Sequence, residues 1–305
     1  MLSRSAALAA TLFAVASCKD SPPEPPPPSP TYDIIVRYFG NEMTAAQKTL
    51  FENAASRLER IIVGDVTNAT ADLDLAGPDG CEEPGLPVVK EEVDDIIIYA
   101  TITAIDGTGS VLGIATPCVG RPTPVGTMVA YGFMKFDVAD FSNFSNPQEV
   151  ILHEMLHVLG SGTLWGPPPT GRGLIQDQGG ADPRYTGARA RAACVALGGT
   201  TTCASSVPLE NTGGTGTRDF HWRESVFQRE LMTGFYNPSP NPLSKMSVAS
   251  MADLGFVVDT TQADAYTFVG TMQMSGGAPL HSNWERIGQM RSVLGPNGRP
   301  QRIAR

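Results

Sequence analysis

The chain has 305 residues, 41% of them apolar and 17% charged, enough to bury one large core or two lobes sharing an interface, so disorder throughout is excluded. A formal charge of -9 and a pI near 4.9, with no long Lys/Arg run, argue against a nucleic-acid partner, whose phosphates need clustered cations. The last stretch, GRPQRIAR, is a basic tail.

The N-terminus reads differently from the rest. Arg4 is followed by an apolar run from Ala6 to Ala16 and then by VASC, ending at Cys18. The run is too short to cross a bilayer and has the form of a signal-peptide core, so residues 1–17 are read as a signal peptide. VASC resembles the lipobox of bacterial lipoproteins. That resemblance implies lipid attachment at Cys18, a membrane reached only through this anchor, and a place in the bacterial cell envelope, periplasmic or at the surface; an ordinary signal peptide would instead give a secreted protein. Residues 18–31 form a Pro-rich tether that favours polyproline II and can reach up to about 40 Å, at about 3.1 Å per residue.

Past the tether, DIIVRYFG (33–40) is β-rich. TAAQKTLFENAASRLERIIVG then places Phe51, Ala54, Leu58 and Ile61 at helical spacing, with Thr44 and Gln47 spaced as a capping box. DDIIIYATITAID (94–106) is a β-branched strand ended by Asp106-Gly107, and VAYGFMKFD (129–137) is another strand. Strand, helix and strand imply a βαβ unit on a mixed sheet, hence an α/β (α+β) fold. NPQEVILHEMLHVLG (146–160) carries a complete set of helix signals: Asn146 to cap, Pro147 at the first position, Glu149 in the first turn and Gly160 as the stop. From Ser161 to Phe220 the chain is rich in Gly, Pro and Thr, with one helical stretch at GARARAACVAL. LSKMSVASMADLG (243–255) reads as a last core helix closed by Gly255, and FVVD as a strand after it. The chain thus divides into an N-terminal lobe, 32–160, and a loop-rich, helical C-terminal lobe, 161–305.

Without Cys18 four cysteines remain, Cys81, Cys118, Cys194 and Cys203, an even count that suggests two disulfides in an exported chain. Three pairings are possible. Short loops close most readily, which favours Cys81 with Cys118 and Cys194 with Cys203. A thiolate zinc cluster competes weakly, because no CxxC knuckle is present.

The chain has four histidines, and two of them share the segment HEMLHVLGSGTLW. Four residues apart on a helix, His153 and His157 present two imidazoles on one face, while Glu154 projects beside them, where a carboxylate can take a proton from water at the metal. This H-E-x-x-H pattern is the zinc peptidase signature. A single catalytic Zn2+ needs a third protein ligand and an open fourth position. A compact arrangement would place that ligand at 163, which is Thr163, so it must come from a distance. His221 and His281 are the remaining histidines, with Glu210 and Glu224 as acidic alternatives; nothing around His281 suggests a site.

HEMLHVLGSGTLW, the long insertion, ENTGGTGTRDFHWRESVFQRELMTGF and LSKMSVASMADLGF together resemble the leishmanolysin family of metzincin peptidases, particularly its bacterial members, over roughly residues 121 to 258. The resemblance implies a zincin fold, with a twisted mixed sheet and the active-site helix in the N-terminal lobe. It also implies His221 as the third ligand, Met232 in a Met-containing turn beneath the metal, and protein or peptide substrates. Hydrolysis would use Glu154 as general base, with the substrate extended along an edge strand at about 129–136; Tyr236 would assist the oxyanion or simply pack. A surface-tethered binding protein that kept the scaffold without catalysis is the competing function. Oligomeric state is not legible.

Overall fold

The β-branched run after the tether forms strand β1 (Ile34–Tyr38), and the periodic segment behind it forms helix α1 (Ala45–Ile61). Both bonds of the capping box are made: Thr44 Oγ1 accepts from Gln47 N, and Gln47 reaches back to Thr44 N. The structure, a computed structural model, describes residues 32–109, 111–214, 216–268, 270, 278–279 and 290–303. The signal peptide, Cys18, the tether and His281 lie outside the described residues, as does the side chain of Tyr236.

Strand β4 (Ile96–Thr103) pairs parallel with β1, completing the expected βαβ unit around an inserted hairpin, β2 (Ala69–Asp74) with β3 (Val88–Val93). Strands β5 (Gly113–Thr123) and β6 (Gly126–Asp137) follow as a long antiparallel pair. The sheet runs β1-β4-β6-β5-β12-β13, where β12 (Ser292–Leu294) pairs parallel with β5 and antiparallel with β13 (Pro300–Arg302). The last described strands therefore return to the sheet of the N-terminal lobe, across the division expected at residue 160.

Period-two alternation assigns the strand residues to two cores. Ile96, Ile98, Ala100 and Ile102 of β4 face α1 and helix α3 (Pro147–Leu159). Ile97 and Tyr99 face the β2–β3 hairpin, with Val89, Val93, Tyr131 and Phe133. A strand covered on both faces lacks charged residues on either side, which is why IIIYATIT carries none. The same logic corrects one expectation: residues 129–136 do not form a sheet edge. Strand β6 lies between β4 and β5, and Val129 through Met134 are all buried. The outer neighbour is β5, and among the described residues β12 pairs with it only at Val119 and Gly120.

A short helix α2 (Val138–Phe141) leads to α3, after which the second lobe begins. It holds a small sheet of β7 (Ile175–Gln176), β8 (Arg184–Tyr185) and β9 (Val207–Pro208), helices α4 (Ala188–Ala196), α5 (Glu224–Phe227) and α6 (Lys245–Asp253), and the pair β10 (Phe235–Tyr236) with β11 (Ala278–Pro279). Trp165, Tyr185 and Trp222 pack ring to ring at 4.6–5.2 Å and make the lobe's aromatic centre. The strand expected at FVVD reduces to one bridge, Ile62 with Val258. Both disulfides join the pairs favoured by proximity, Cys81–Cys118 and Cys194–Cys203. Among the described residues no helix is long and apolar enough to cross a membrane.

Candidate metal centre

Helix α3 starts and stops where its sequence says it should. Asn146 accepts from Gln148 N at 3.2 Å, Pro147 opens the first turn, and Gly160 closes the helix at φ 115°, a left-handed value that glycine adopts without strain. Every residue from Val150 to Leu159 is buried, so the two histidines lie inside the protein rather than on a solvated face. Thr163, where a compact motif would carry its third ligand, serves the helix end instead. Its hydroxyl donates to His157 O at 2.7 Å.

His221 arrives from the far end of the insertion. Its carbonyl accepts from Glu210 N at 2.9 Å, and Asp219 N donates to Glu210 O at 3.0 Å, so the strand-like passage through His221 is pinned against residue 210. Trp222 N donates to Met232 O at 2.9 Å, which couples the third histidine to the turn that contains Met232. That turn spans Glu230 to Thr233, closed by Thr233 N donating to Glu230 O at 3.1 Å, and Met232 is fully buried within it. Packing of Trp222 against Trp165, ring centroids 4.6 Å apart and tilted by 33°, fixes the same passage against the chain that leaves α3.

The three imidazoles converge. His153, His157 and His221 are each at least 99% buried, and their Nε2 atoms are separated by 2.9, 3.0 and 3.2 Å. Each Nδ1 faces a backbone carbonyl: His153 to Leu231 O at 2.7 Å, His157 to Ser161 O at 2.7 Å and His221 to Thr217 O at 2.9 Å. A carbonyl only accepts, so each Nδ1 carries the proton and each Nε2 offers a lone pair. Three lone pairs held about 3 Å apart repel one another unless a cation lies among them. Two nitrogens on one tetrahedral zinc, each about 2.0–2.1 Å from it, sit about 3.3 Å apart, close to the spacing seen here. The donor set therefore fits zinc.

The electrostatics point the same way. Burial, then repulsion from His157, pushes the His153 pKa well below its ordinary value. Burial and the other two imidazoles do the same to His221, and burial lowers His157 to about 4. Neutral imidazoles are the form a metal takes. Glu154 is fully buried, and burial pushes its carboxyl well above the usual range; a dication among the histidines would oppose that shift. Gly113 of β5 lies against it, since a Cβ built there would stand 3.0 Å from Glu154 Oε1. Among the described residues the histidine trio and the acidic group Asp65, Asp94 and Asp95 are the sets spaced to share an ion.

The acidic alternatives for the third ligand are engaged elsewhere. Glu210 accepts from Asn211 N, Thr212 N and Glu224 N, bracing the loop that leads to His221, and Glu224 accepts from Asn237 Nδ2. Several supporting residues carry no sequence signal. Gly162 (φ 76°) passes so close to the site that a Cβ there would meet Phe220 O at 2.2 Å and His157 Cε1 at 3.2 Å. Glu230, whose carboxyl is buried beneath the turn, can be found only once the turn is in place.

No curated protein matches the chain. The sequence profile of the family described as leishmanolysin, Peptidase_M8, matches residues 59–273, which include α3, the insertion, His221 and the Met232 turn. With a twisted mixed sheet carrying the histidine helix and a second lobe returning a third histidine, the chain belongs to the leishmanolysin family of metallopeptidases.

Proposed function

We propose that the protein is a zinc-dependent endopeptidase acting on extended segments of extracytoplasmic proteins or peptides, with Glu154 as general base. The convergence of three Nδ1-anchored imidazoles on one point, with Glu154 one residue along the same helix, carries this reading. Bound by His153, His157 and His221, zinc would polarise the scissile carbonyl and lower the pKa of the attacking water toward about 7. Glu154 takes the water proton and passes it to the leaving amine. Its burial excludes bulk water from that transfer, and the absence of a side chain at Gly113 leaves room beside its carboxylate.

The start of β5 is the part of the sheet beside Glu154, so an extended substrate pairs its main chain there, along residues 113–117, rather than along β6. Two disulfides suit an oxidising compartment outside the cytoplasm. Together with the VASC sequence at Cys18 and the Pro-rich tether, they support a lipoprotein of the bacterial envelope whose only membrane contact is its anchor.

The test compares wild type with Glu154→Gln on a denatured protein substrate, with metal content measured for both. Zinc in each, with internal peptide bonds cut only by the wild type, is the expected result. Equal cleavage by the two proteins would remove Glu154 from the mechanism. A wild type that holds stoichiometric zinc yet leaves the substrate intact would favour a binding protein.

A further inference from the structure

We propose that Glu230 is a positioning residue for the metal centre, its buried carboxylate acting on His153 through the Leu231–Met232 peptide. That peptide is bonded on both sides. Its carbonyl, Leu231 O, accepts the Nδ1 proton of His153 at 2.7 Å, while its N–H, on Met232, donates to Glu230 Oε2 at 2.6 Å. A carboxylate on the N–H polarises the amide and makes its carbonyl a stronger acceptor. A stronger acceptor at Nδ1 raises the basicity of Nε2, the atom that faces the other two imidazoles. The arrangement works as a carboxylate–histidine pair with one peptide interposed.

The other bonds of Glu230 favour its ionised form. Oε1 accepts from Ser244 N at 3.0 Å, Ser244 Oγ at 2.7 Å and Ser247 Oγ at 2.5 Å. Ser247 Oγ itself accepts the indole N–H of Trp222 at 2.7 Å, so its own proton is directed at Glu230. Burial raises the carboxyl above its ordinary value, and these bonds limit the rise. Two of the four partners are backbone N–H groups, which can only donate, and both hydroxyls donate as well, a set that favours the carboxylate over the acid. His221 lacks such a relay. Its acceptor, Thr217 O, belongs to a peptide whose N–H, on Arg218, goes to the neutral carbonyl of Gly214 at 3.2 Å. The carboxylate therefore bears on one ligand of the three through the turn, and reaches the residue after a second through Ser247 and Trp222.

This inference rests on the zinc reading above, and its test separates the two. Zinc affinity is measured by competition with a chelating dye, and the visible absorption of the Co2+-loaded protein reports the ligand field. Glu230→Gln keeps an acceptor for Met232 N–H and loses the charge. It is expected to weaken zinc binding by about tenfold and to shift the Co2+ bands. Affinity within twofold of wild type with unshifted bands overturns the relay. Should circular dichroism show that Glu230→Gln does not fold, Ser247→Ala decides. That change removes one donor to Oε1 and a partner of Trp222 but leaves the Met232 bond, so the relay requires a lower melting temperature with zinc affinity retained within threefold. A zinc affinity that falls along with the melting temperature marks Glu230 as a brace only. A wild type that binds no zinc overturns the peptidase reading as well, whereas tight wild-type binding with an unaffected Glu230→Gln overturns the relay alone.

Discussion

Gly162→Ala is expected to damage the metal centre from outside it. The residue sits at φ 76°, where a side chain costs roughly 1–2 kcal/mol. Its new methyl would stand 2.2 Å from Phe220 O, the carbonyl that joins directly to His221, and 3.2 Å from His157 Cε1. Ordinary contact requires the two chains to part by about 1 Å, and disturbing the groups that aim a metal ligand costs up to about 100-fold in metal affinity. Because the displaced atoms lie between His157 and His221, the loss falls on zinc binding: the Kd is expected to rise by about 100-fold, or about 2.8 kcal/mol. Gly107→Ala is the control, since Gly107 has φ 88° and nothing within 4 Å of a built Cβ. It carries the backbone cost alone. Both variants are unfolded in denaturant and titrated with zinc against a chelator. Gly162→Ala binding zinc as tightly as Gly107→Ala, within threefold, would refute the claim that this close approach sets the distance between His157 and His221.

The disulfides close loops of different length, with sequence separations of 37 for Cys81–Cys118 and 9 for Cys194–Cys203. Chain entropy then predicts losses of about 4 and about 3 kcal/mol on replacing each pair with serine, read from denaturant midpoints; a larger loss at the short loop would contradict an entropic origin. Asp137 gives a pH-dependent case. Burial pulls its pKa up, but backbone N–H bonds from Ala139, Asp106, Gly107 and Ile105 outweigh it and hold the carboxyl below the usual range. A depressed folded pKa contributes stability above the ordinary carboxylate range and loses it as pH falls through the folded value. Asp137→Asn is therefore expected to be less stable than wild type at pH 7, with the gap closing below about pH 4. A gap that stays constant from pH 7 to 3 would show that the charge is not what matters.

What is legible in the sequence is local. Helix α3 can be placed to the residue because Asn146, Pro147 and Gly160 act within one turn of its ends, and the same holds for Thr44 and Gln47 at α1. Strand β5 escapes a sequence reading because Gly113, Pro117 and Gly120 dilute its β-propensity; its extent is decided by pairing with β6, and the register shifts around Pro117, which has no N–H to give. The β2–β3 hairpin escapes for a related reason: its charged outer positions hide the alternation, and residues 75–87 separate its strands. An edge position for 129–136 runs against a signal that is present, since nearly unbroken apolar residues mark a strand covered on both faces. His221 stands 64 residues from His157, so spacing alone leaves it open against His281, Glu210 and Glu224.

The histidines themselves leave a pattern in the sequence, but the groups that aim them do not, and the reason is chemical. All three Nδ1 atoms bond to main-chain carbonyls, those of Leu231, Ser161 and Thr217. A carbonyl is present at every residue, so no residue type at those positions announces the role. The aim is instead set by how three separate turns pack: the stop of α3 at Gly160, the loop before His221 and the turn around Met232. Each turn is fixed by something that does have a side-chain identity, namely the left-handed Gly160, the Glu210 brace and the Glu230 carboxylate. Ligand type is written in the histidines, whereas ligand direction is written one step removed, in a glycine and two buried acids that never touch the metal position. Changing those three residues should therefore alter how tightly an ion is held while leaving the H-E-x-x-H motif intact.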